Sequence, residues 1–196
     1  MMAGRPKKGD HGLDLDRIVD AAWALVDREG VDALSTRSLA SDLNVKGPAL
    51  YWHVRNKQQL LSLMVERALG KTIVPTSPDV PWWEWMRTIG REQRRTFLAH
   101  RDSGIIASLA PPTDRLRDEI FPEAIKPLMD AGFTRSEAAS AFGGLASFVL
   151  GAVIYEQHPE TRNFLLAYHD PDVAFEFALD AYVRGLRERL EAKRGD

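Results

Sequence analysis

Residues 35–54 have the sequence STRSLASDLNVKGPALYWHV, and this stretch decides the fold of the N-terminal part of the chain. A helix-turn-helix needs a small residue where its two helices touch, and Ala40 supplies one. The turn needs a residue that tolerates a positive φ, and Asn44 is of the type that does so most readily after glycine. The angle between the helices is fixed by apolar residues, namely Leu39, Leu43, Val45, Leu50 and Val54. The stretch therefore predicts a helix-turn-helix.

Start and stop signals on both sides place this motif within a unit of four helices. Asp14 is suited to cap a first helix. Asn56, with Gln59 three residues later, is suited to form a capping box at the start of a fourth helix that Gly70 closes. We therefore predict a helical domain over residues 13–71, preceded by a basic tail over residues 1–12.

The remainder of the chain, residues 72–196, is predicted to be a second and larger helical domain. Three prolines within residues 72–81 indicate a stiff connector, after which apolar residues recur with helical spacing. Over residues 158–170 the pattern becomes too loose to predict a helix. No segment alternates polar and apolar residues over the length of a strand, so the predicted fold class is all-α.

The composition excludes several functional classes. Cysteine is absent from the 196 residues, which rules out disulfide scaffolds, thiolate metal sites and cysteine nucleophiles and favours the cytoplasm as the location. No run of residues approaches the roughly 18 apolar residues of a membrane span. The phosphate-binding loops, nucleophile elbows and zinc-protease motifs of common enzymes are missing, so we expect neither an enzyme nor a cofactor.

The charge is divided unevenly along the chain. The formal net charge is −2, but residues 1–71 carry 11 Lys and Arg against 9 Asp and Glu. Residues 72–196 carry 15 basic residues against 19 acidic ones. The positive excess thus accompanies the helix-turn-helix, which is the sign that contact with a polyanion requires.

The second helix of the motif is predicted to present an unusual set of side chains to solvent. Helical spacing turns outward Lys46, Ala49, Tyr51, Trp52 and His53, with Lys57 close by. Two aromatic rings and an imidazole suit contact with a phosphate backbone and base edges. The alternative is an ordinary pair of helices whose aromatic residues pack into the core.

The run LYWHVRNK over residues 50–57, together with the Thr-Arg-x-Leu-Ala of residues 36–40, resembles the DNA-binding module of the tetracycline repressor (TetR) family. Residues 100–102, 132–133 and 150–157 resemble the regulatory domain of the drug-responsive members of that family. The resemblance implies a homeodomain-like helix-turn-helix joined to a helical ligand-binding and dimerisation domain. It also implies a homodimeric transcriptional repressor that a small-molecule effector releases from a palindromic operator.

The resemblance also assigns roles to single residues of the motif. Arg37 would read a base, while Thr36 and Lys57 would hold phosphates. Gly47 and Ala49 stand where the drug-responsive repressors contact bases through a glutamine and a threonine, so a different operator is expected, with Lys46 as a replacement reader. The DNA-binding set implied is Thr36, Arg37, Lys46, Gly47, Pro48, Ala49, Tyr51, Trp52, His53 and Lys57.

The regulatory domain departs from the drug-responsive pattern at its metal anchors. The side chains that hold a magnesium–tetracycline chelate are replaced by Ala107, Tyr155 and Ile73, and alanine offers no ligand to a hard cation. We therefore predict no response to magnesium–tetracycline. If the alignment is shifted by one residue, Glu156 and His158 re-form a metal or polar anchor; otherwise they lie at a solvated loop entrance.

The predicted effector pocket is apolar and rich in aromatic side chains, which suits an apolar or aromatic small molecule. Its candidate lining is Trp82, Trp85, Met86, Ile89, Gln93, Phe97, Arg101, Ile105, Phe121, Phe142, Tyr155 and His158. The alternative for each aromatic residue is an ordinary place in the core.

A homodimer is predicted through two helices. Residues 135–157 combine many Gly, Ala and Ser residues on more than one face, which allows close approach both to the core and to a partner. Residues 172–190 carry a second apolar stripe, and two such helices from each subunit would form a four-helix bundle. The competing interpretation is a monomeric core loosened by glycine.

Two other functions remain open from the sequence. One is a DNA-binding protein without an effector, acting architecturally. The other is a metal-dependent hydrolase built on Glu156, His158 and His169.

The recognition surface generates a direct prediction. Tyr51→Ala or Lys57→Ala should weaken operator binding because each removes a contact to DNA, while the dimer stays intact. Fluorescence anisotropy with labelled operator and sedimentation of the free protein measure the two properties. Unchanged binding in both variants would show that the recognition surface lies elsewhere.

Overall fold

The computed structural model describes residues 13–72 and 79–195, and these fold into ten α-helices without a strand. The N-terminal part, here called the head, contains α1 (Leu15–Glu29), α2 (Thr36–Asp42), α3 (Gly47–Tyr51) and α4 (Lys57–Thr72). The larger part, the body, contains α5 (Trp82–Leu98), α6 (Ser103–Leu109), α7 (Phe121–Asp130), α8 (Arg135–Gln157), α9 (Pro159–Leu166) and α10 (Pro171–Gly195). The predicted all-α class is confirmed.

The head forms as its capping residues predict. The carboxylate of Asp14 accepts a hydrogen bond from the backbone N–H of Arg17 at 2.8 Å, and Ser35 and Ser38 form a reciprocal capping box at the start of α2. Asn44 takes a φ of 53° in the turn between α2 and α3, and Ala40 is buried where the two helices meet. The helix-turn-helix is therefore present.

Helix α4 differs from its prediction at both ends. The side chain of Asn56 accepts from the N–H of Gln59, but the Gln59 side chain accepts from Arg55 rather than from Asn56, so the capping box is displaced by one residue. The prediction that Gly70 closes the helix is wrong, because the helix continues to Thr72. It therefore crosses the predicted boundary at residue 71. Most of the proline-containing connector, residues 73–78, lies outside the described residues.

Helix α9 lies in the segment whose pattern was too loose to predict a helix. Pro159 occupies its first turn, and the His158 side chain accepts from the backbone N–H of Thr161 at 3.4 Å. None of its residues is buried. A helix that buries no face needs no apolar periodicity, which explains why no helical pattern was detectable over these residues.

Helix α8 is the central element of the body and contacts α5, α6, α7 and α10. By length and composition alone it could cross a membrane, but it is the one such helix among the described residues and serves here as a core helix. Its start is fixed by a capping box between Thr134 and Glu137. Lys193 of α10 donates to the same carboxylate at 2.8 Å, and these hydrogen bonds hold the pKa of Glu137 at about 2.

The glycines of the body divide into two groups by what surrounds them. A Cβ on Gly104 would lie 2.8 Å from Cγ1 of Ile154, so α6 approaches α8 closely only because residue 104 has no side chain. A Cβ on Gly143 or Gly151 of α8, or on Gly185 of α10, would meet no atom within 4 Å in a single chain. Glycine costs a helix about 1 kcal/mol relative to alanine, so these open positions favour a function between chains.

A substitution at one open glycine tests the dimer interface without disturbing the fold of the single chain. Gly151→Arg should leave the helical content unchanged, because the space around residue 151 is empty in one chain, and should convert a dimer of twice 22.0 kDa into monomer. Gly70→Arg, at an equally open position on α4, is the matched control. Sedimentation velocity gives both masses. A dimer retained in Gly151→Arg would contradict this interface.

Candidate operator and effector sites

The aromatic residues of the recognition segment lie on the surface of the head. Tyr51 is 54% exposed and Trp52 is 88% exposed, whereas Leu50 and Val54 beside them are buried. The alternative in which these rings pack into the core is therefore wrong. Two adjacent exposed aromatic rings form an apolar patch of the kind that marks an interaction site.

The other candidate DNA-binding residues surround these rings. Arg37, Lys46 and Pro48 are exposed, and Thr36, Gly47, Ala49 and His53 are partly buried. The hydroxyl of Thr36, at the start of α2, lies 3.3 Å from the hydroxyl of Tyr51 on α3. The two helices thus present one continuous polar and aromatic face.

The side chain of Lys57 is held by a hydrogen bond within the head. Its ammonium group donates to the backbone carbonyl of Val31 at 2.9 Å, and its side chain is partly buried. Two of its three donors remain for a phosphate. Lys57→Ala would also remove the bond to Val31, so Tyr51→Ala is the cleaner of the two test variants.

A network of polar contacts joins the head to the turn between α5 and α6. Asp102, with a φ of 55°, accepts from the backbone N–H of Val31 at 2.9 Å. Asp27 accepts from the N–H of Arg101 at 2.9 Å, and its other oxygen lies 2.9 Å from Nδ1 of His100. The His100 ring stacks on Trp23, with the ring centroids 4.4 Å apart. Head and body therefore share a polar junction besides α4.

A buried carboxylate makes a second connection. Glu66 of α4, 9% exposed, accepts from the hydroxyl of Thr113 and from the guanidinium of Arg115 at 3.0 Å. Glu66 was not among the residues predicted from the sequence. A single acidic residue within the apolar stretch of α4 was the available signal, because a charge is buried only with a partner.

An apolar cavity of about 350 Å³ opens beside this connection. It lies between α4, α5, α8 and the segment that leads into α7, which includes a π-helical turn over Leu116–Ile120. Its walls are Leu69, Gln93, Pro112, Leu116, Arg117, Phe121, Phe142 and Ala146. Three of these residues, Gln93, Phe121 and Phe142, were candidates from the sequence.

The other nine pocket candidates lie elsewhere. Five belong to the core because the apolar stripe of α5 faces α8 and α10, namely Trp82, Trp85, Met86, Ile89 and Phe97. Ile105 and Tyr155 are exposed, Arg101 lies at the polar junction and His158 caps α9. Of these residues, Trp85 makes contact with the lining of the cavity, since its ring stacks on the cavity residue Phe142 with the ring centroids 6.0 Å apart.

The alternative in which Glu156 and His158 together form a metal or polar anchor is not supported by their contacts. Both oxygens of Glu156 accept from the guanidinium of Arg94, at 2.9 and 2.7 Å, while His158 turns to Thr161. His169 lines a shallow pocket beside Tyr155 and Glu156. Within residues 13–72 and 79–195, no three His, Asp or Glu side chains are grouped as metal ligands.

A helix-turn-helix head with an exposed aromatic face, joined to a helical body that contains an apolar cavity, defines the class of ligand-binding DNA-binding regulators. Two family profiles match the chain. Residues 18–64 match "Bacterial regulatory proteins, tetR family", and residues 74–165 match "Tetracyclin repressor-like, C-terminal domain". The chain belongs to the tetracycline repressor (TetR) family.

Individual relatives agree with the family profiles. The class E tetracycline repressor protein of Escherichia coli is 30% identical to this chain, and the alignment covers 93% of this chain and 94% of that protein. A TetR variant from Acinetobacter baumannii AYE in complex with minocycline has a TM-score of 0.79 and 29% identity, and the match covers 91% of this chain and 99% of that chain. The Streptomyces coelicolor protein ActR in complex with actinorhodin has a TM-score of 0.76 and 27% identity, and the match covers 90% of this chain and 96% of that chain.

The protein is thus a DNA-binding transcriptional repressor regulated by small-molecule ligands, and proteins of its family act as dimers. Its relatives are transcriptional regulators, which supports neither the architectural nor the hydrolase alternative.

Proposed function

We propose that two copies of this chain hold a palindromic operator with their α3 helices and release it when an uncharged, largely apolar small molecule enters the cavity. The observation that carries the proposal is that α4 belongs to both sites. Its first residue, Lys57, lies beside the recognition face, and Leu69 near its end forms a wall of the cavity. A DNA-binding chain without cysteine suits the reducing cytoplasm.

The proposed operator surface is the set of ten residues from Thr36 to Lys57 named above. Gly47 and Ala49 bring no hydrogen-bonding side chain to the major groove. Direct reading of bases therefore falls to exposed Arg37 and Lys46, with His53 beside them. Tyr51 and Trp52 supply apolar contact to sugars and thymine methyl groups. Two heads reach successive major grooves when they are spaced about one helical turn apart.

The proposed effector is not a magnesium–tetracycline chelate. None of the eight residues that line the cavity carries a carboxylate or an imidazole, and a hard cation requires oxygen ligands. At the metal-anchor positions, Ala107 has no donor atom and Tyr155 is exposed, while Ile73 lies outside the described residues. Phe121 and Phe142 meet edge to face, with their ring centroids 5.9 Å apart, which suits an aromatic guest.

The proposed dimer interface lies on the outer faces of α8 and α10. The open positions Gly143, Gly151 and Gly185 would let the helices of a second copy approach closely. Val173 and Phe177 on α10 are 67% and 77% exposed in the single chain, so a partner would cover apolar surface there. These faces agree with the helices over 135–157 and 172–190 that the sequence singled out.

The proposed release mechanism passes through α4. A molecule in the cavity touches Leu69 directly and displaces the segment over 112–117, to which Glu66 is bound through Thr113 and Arg115. Movement of α4 changes the separation of the two α3 helices, which then no longer match successive grooves. The effector thus binds one of the two conformations more tightly.

The first experiment is fluorescence anisotropy with labelled duplexes that tile the DNA upstream of the gene, at two salt concentrations, against a scrambled duplex. We expect tight binding to one near-palindromic duplex, weakened by salt yet still stronger than to the scrambled one. Equal binding to all duplexes would favour the architectural alternative instead.

A substitution that fills the cavity can replace the unknown effector. Ala146→Trp should lower operator affinity about tenfold, because the indole occupies the space that a ligand would take. Adding Glu66→Ala should restore much of that affinity, because α4 is then released from the displaced segment.

Ala192→Trp, at an exposed position near the end of α10, is the control for the bulk of the new side chain. Circular dichroism melting verifies that every variant is folded. An Ala146→Trp variant with normal operator affinity, or a double variant no better than the single one, would refute the proposed transmission route.

A further inference from the structure

The cavity contains one buried polar side chain without a partner. Gln93 is 2% exposed and lines the cavity, and its amide makes no hydrogen bond with any residue of the described part of the chain. A buried amide without hydrogen bonds is unfavourable, and such groups in native proteins are few. The position of Gln93 therefore requires a functional explanation.

The amide faces the open space of the cavity. Among the described residues, no polar side-chain atom is both sealed from solvent and unpaired. The unpaired atoms of Gln93 must then retain accessible area, and the cavity is the space that it lines. Its carbonyl and NH₂ groups are available side by side to a guest.

The other residues that line the cavity determine the polarity and charge of the ligand that can bind there. Leu69, Leu116, Phe121 and Phe142 are apolar, and the single charged wall residue is Arg117. The guanidinium of Arg117 is paired with Asp114 at 2.9 Å and with Asp118 at 2.7 Å. An ionised guest would thus find no unpaired counter-charge on these walls and would be desolvated without compensation.

We infer that Gln93 selects the effector, which is an uncharged aromatic molecule with a hydrogen-bond donor and acceptor side by side on one edge, as in a lactam or a primary carboxamide. The carbonyl of Gln93 accepts from the guest's N–H, and its NH₂ donates to the guest's carbonyl. The ring system lies against Phe121 and Phe142. This inference rests on the proposed function, since it assumes that the cavity is the effector site.

The test compares three probes of similar size by isothermal titration calorimetry on the full-length protein. 2-Quinolone carries the lactam edge, 1-methyl-2-quinolone lacks its N–H, and naphthalene lacks both polar groups. We expect 2-quinolone to bind about tenfold more tightly than its N-methyl derivative, because methylation leaves the Gln93 carbonyl buried and unpaired. In Gln93→Leu that preference should disappear, while naphthalene binds as well as before or better.

Gln93→Met, which keeps the length of the side chain, repeats the measurement with less disturbance of packing. Gln58→Leu, at an exposed position of α4, is the matched control and should keep the preference. Equal binding of both quinolones to the natural protein, or a preference that persists in Gln93→Leu and Gln93→Met, would overturn the role of Gln93 and leave the cavity as a binding site. Failure of all three probes to bind would overturn the proposed effector site itself.

Discussion

Helix α4 packs against both the head and the body, and the positions of both functional surfaces depend on that constraint. It contacts α1 of the head and α5 and α6 of the body, and its residues Leu60, Met64 and Ala68 are buried in the hydrophobic core that head and body share. An α-helix has close to a fixed rise per residue, so a displacement at Leu69 is transmitted to Lys57 rather than absorbed between them. The head therefore cannot be repositioned without a matching change in the body. In the proposed mechanism, this shared helix joins ligand binding to DNA binding.

The two other connections between head and body act at different points. Glu66 binds the wall of the cavity to the middle of α4, whereas Asp102 and Asp27 bind the turn between α5 and α6 to the end of α1. Asp102 holds a left-handed backbone conformation, which costs a non-glycine residue free energy and is here compensated by its hydrogen bond to Val31. The head thus meets the body at a contact that is rich in directional hydrogen bonds.

The sequence predicted the head far better than the cavity, for physical reasons. Capping residues such as Asp14 and Ser35 act on neighbours three residues away, so local pattern specifies them. The cavity instead arises where distant residues fail to fill space, and Leu116 or Ala146 resembles any core residue in sequence. The aromatic residues of α5 were predicted to line the pocket. Residues of a helix that face the core and residues that line a pocket recur with the same helical spacing, so the sequence pattern does not distinguish them. Trp82, Met86 and Ile89 pack fully, and Gln93 alone of that helix lines the cavity.

The π-helical turn that forms part of the cavity wall has a consequence for the breadth of ligand response. The N–H of Phe121 donates to the carbonyl of Leu116, five residues earlier, so this turn holds one residue more than an α-helical turn. Conversion to α-helical bonding would move that residue out of the turn and shift the preceding segment by about 1.5 Å along the axis. A wall that changed its bonding in this way would alter the length of the cavity without a change in any side chain that lines it.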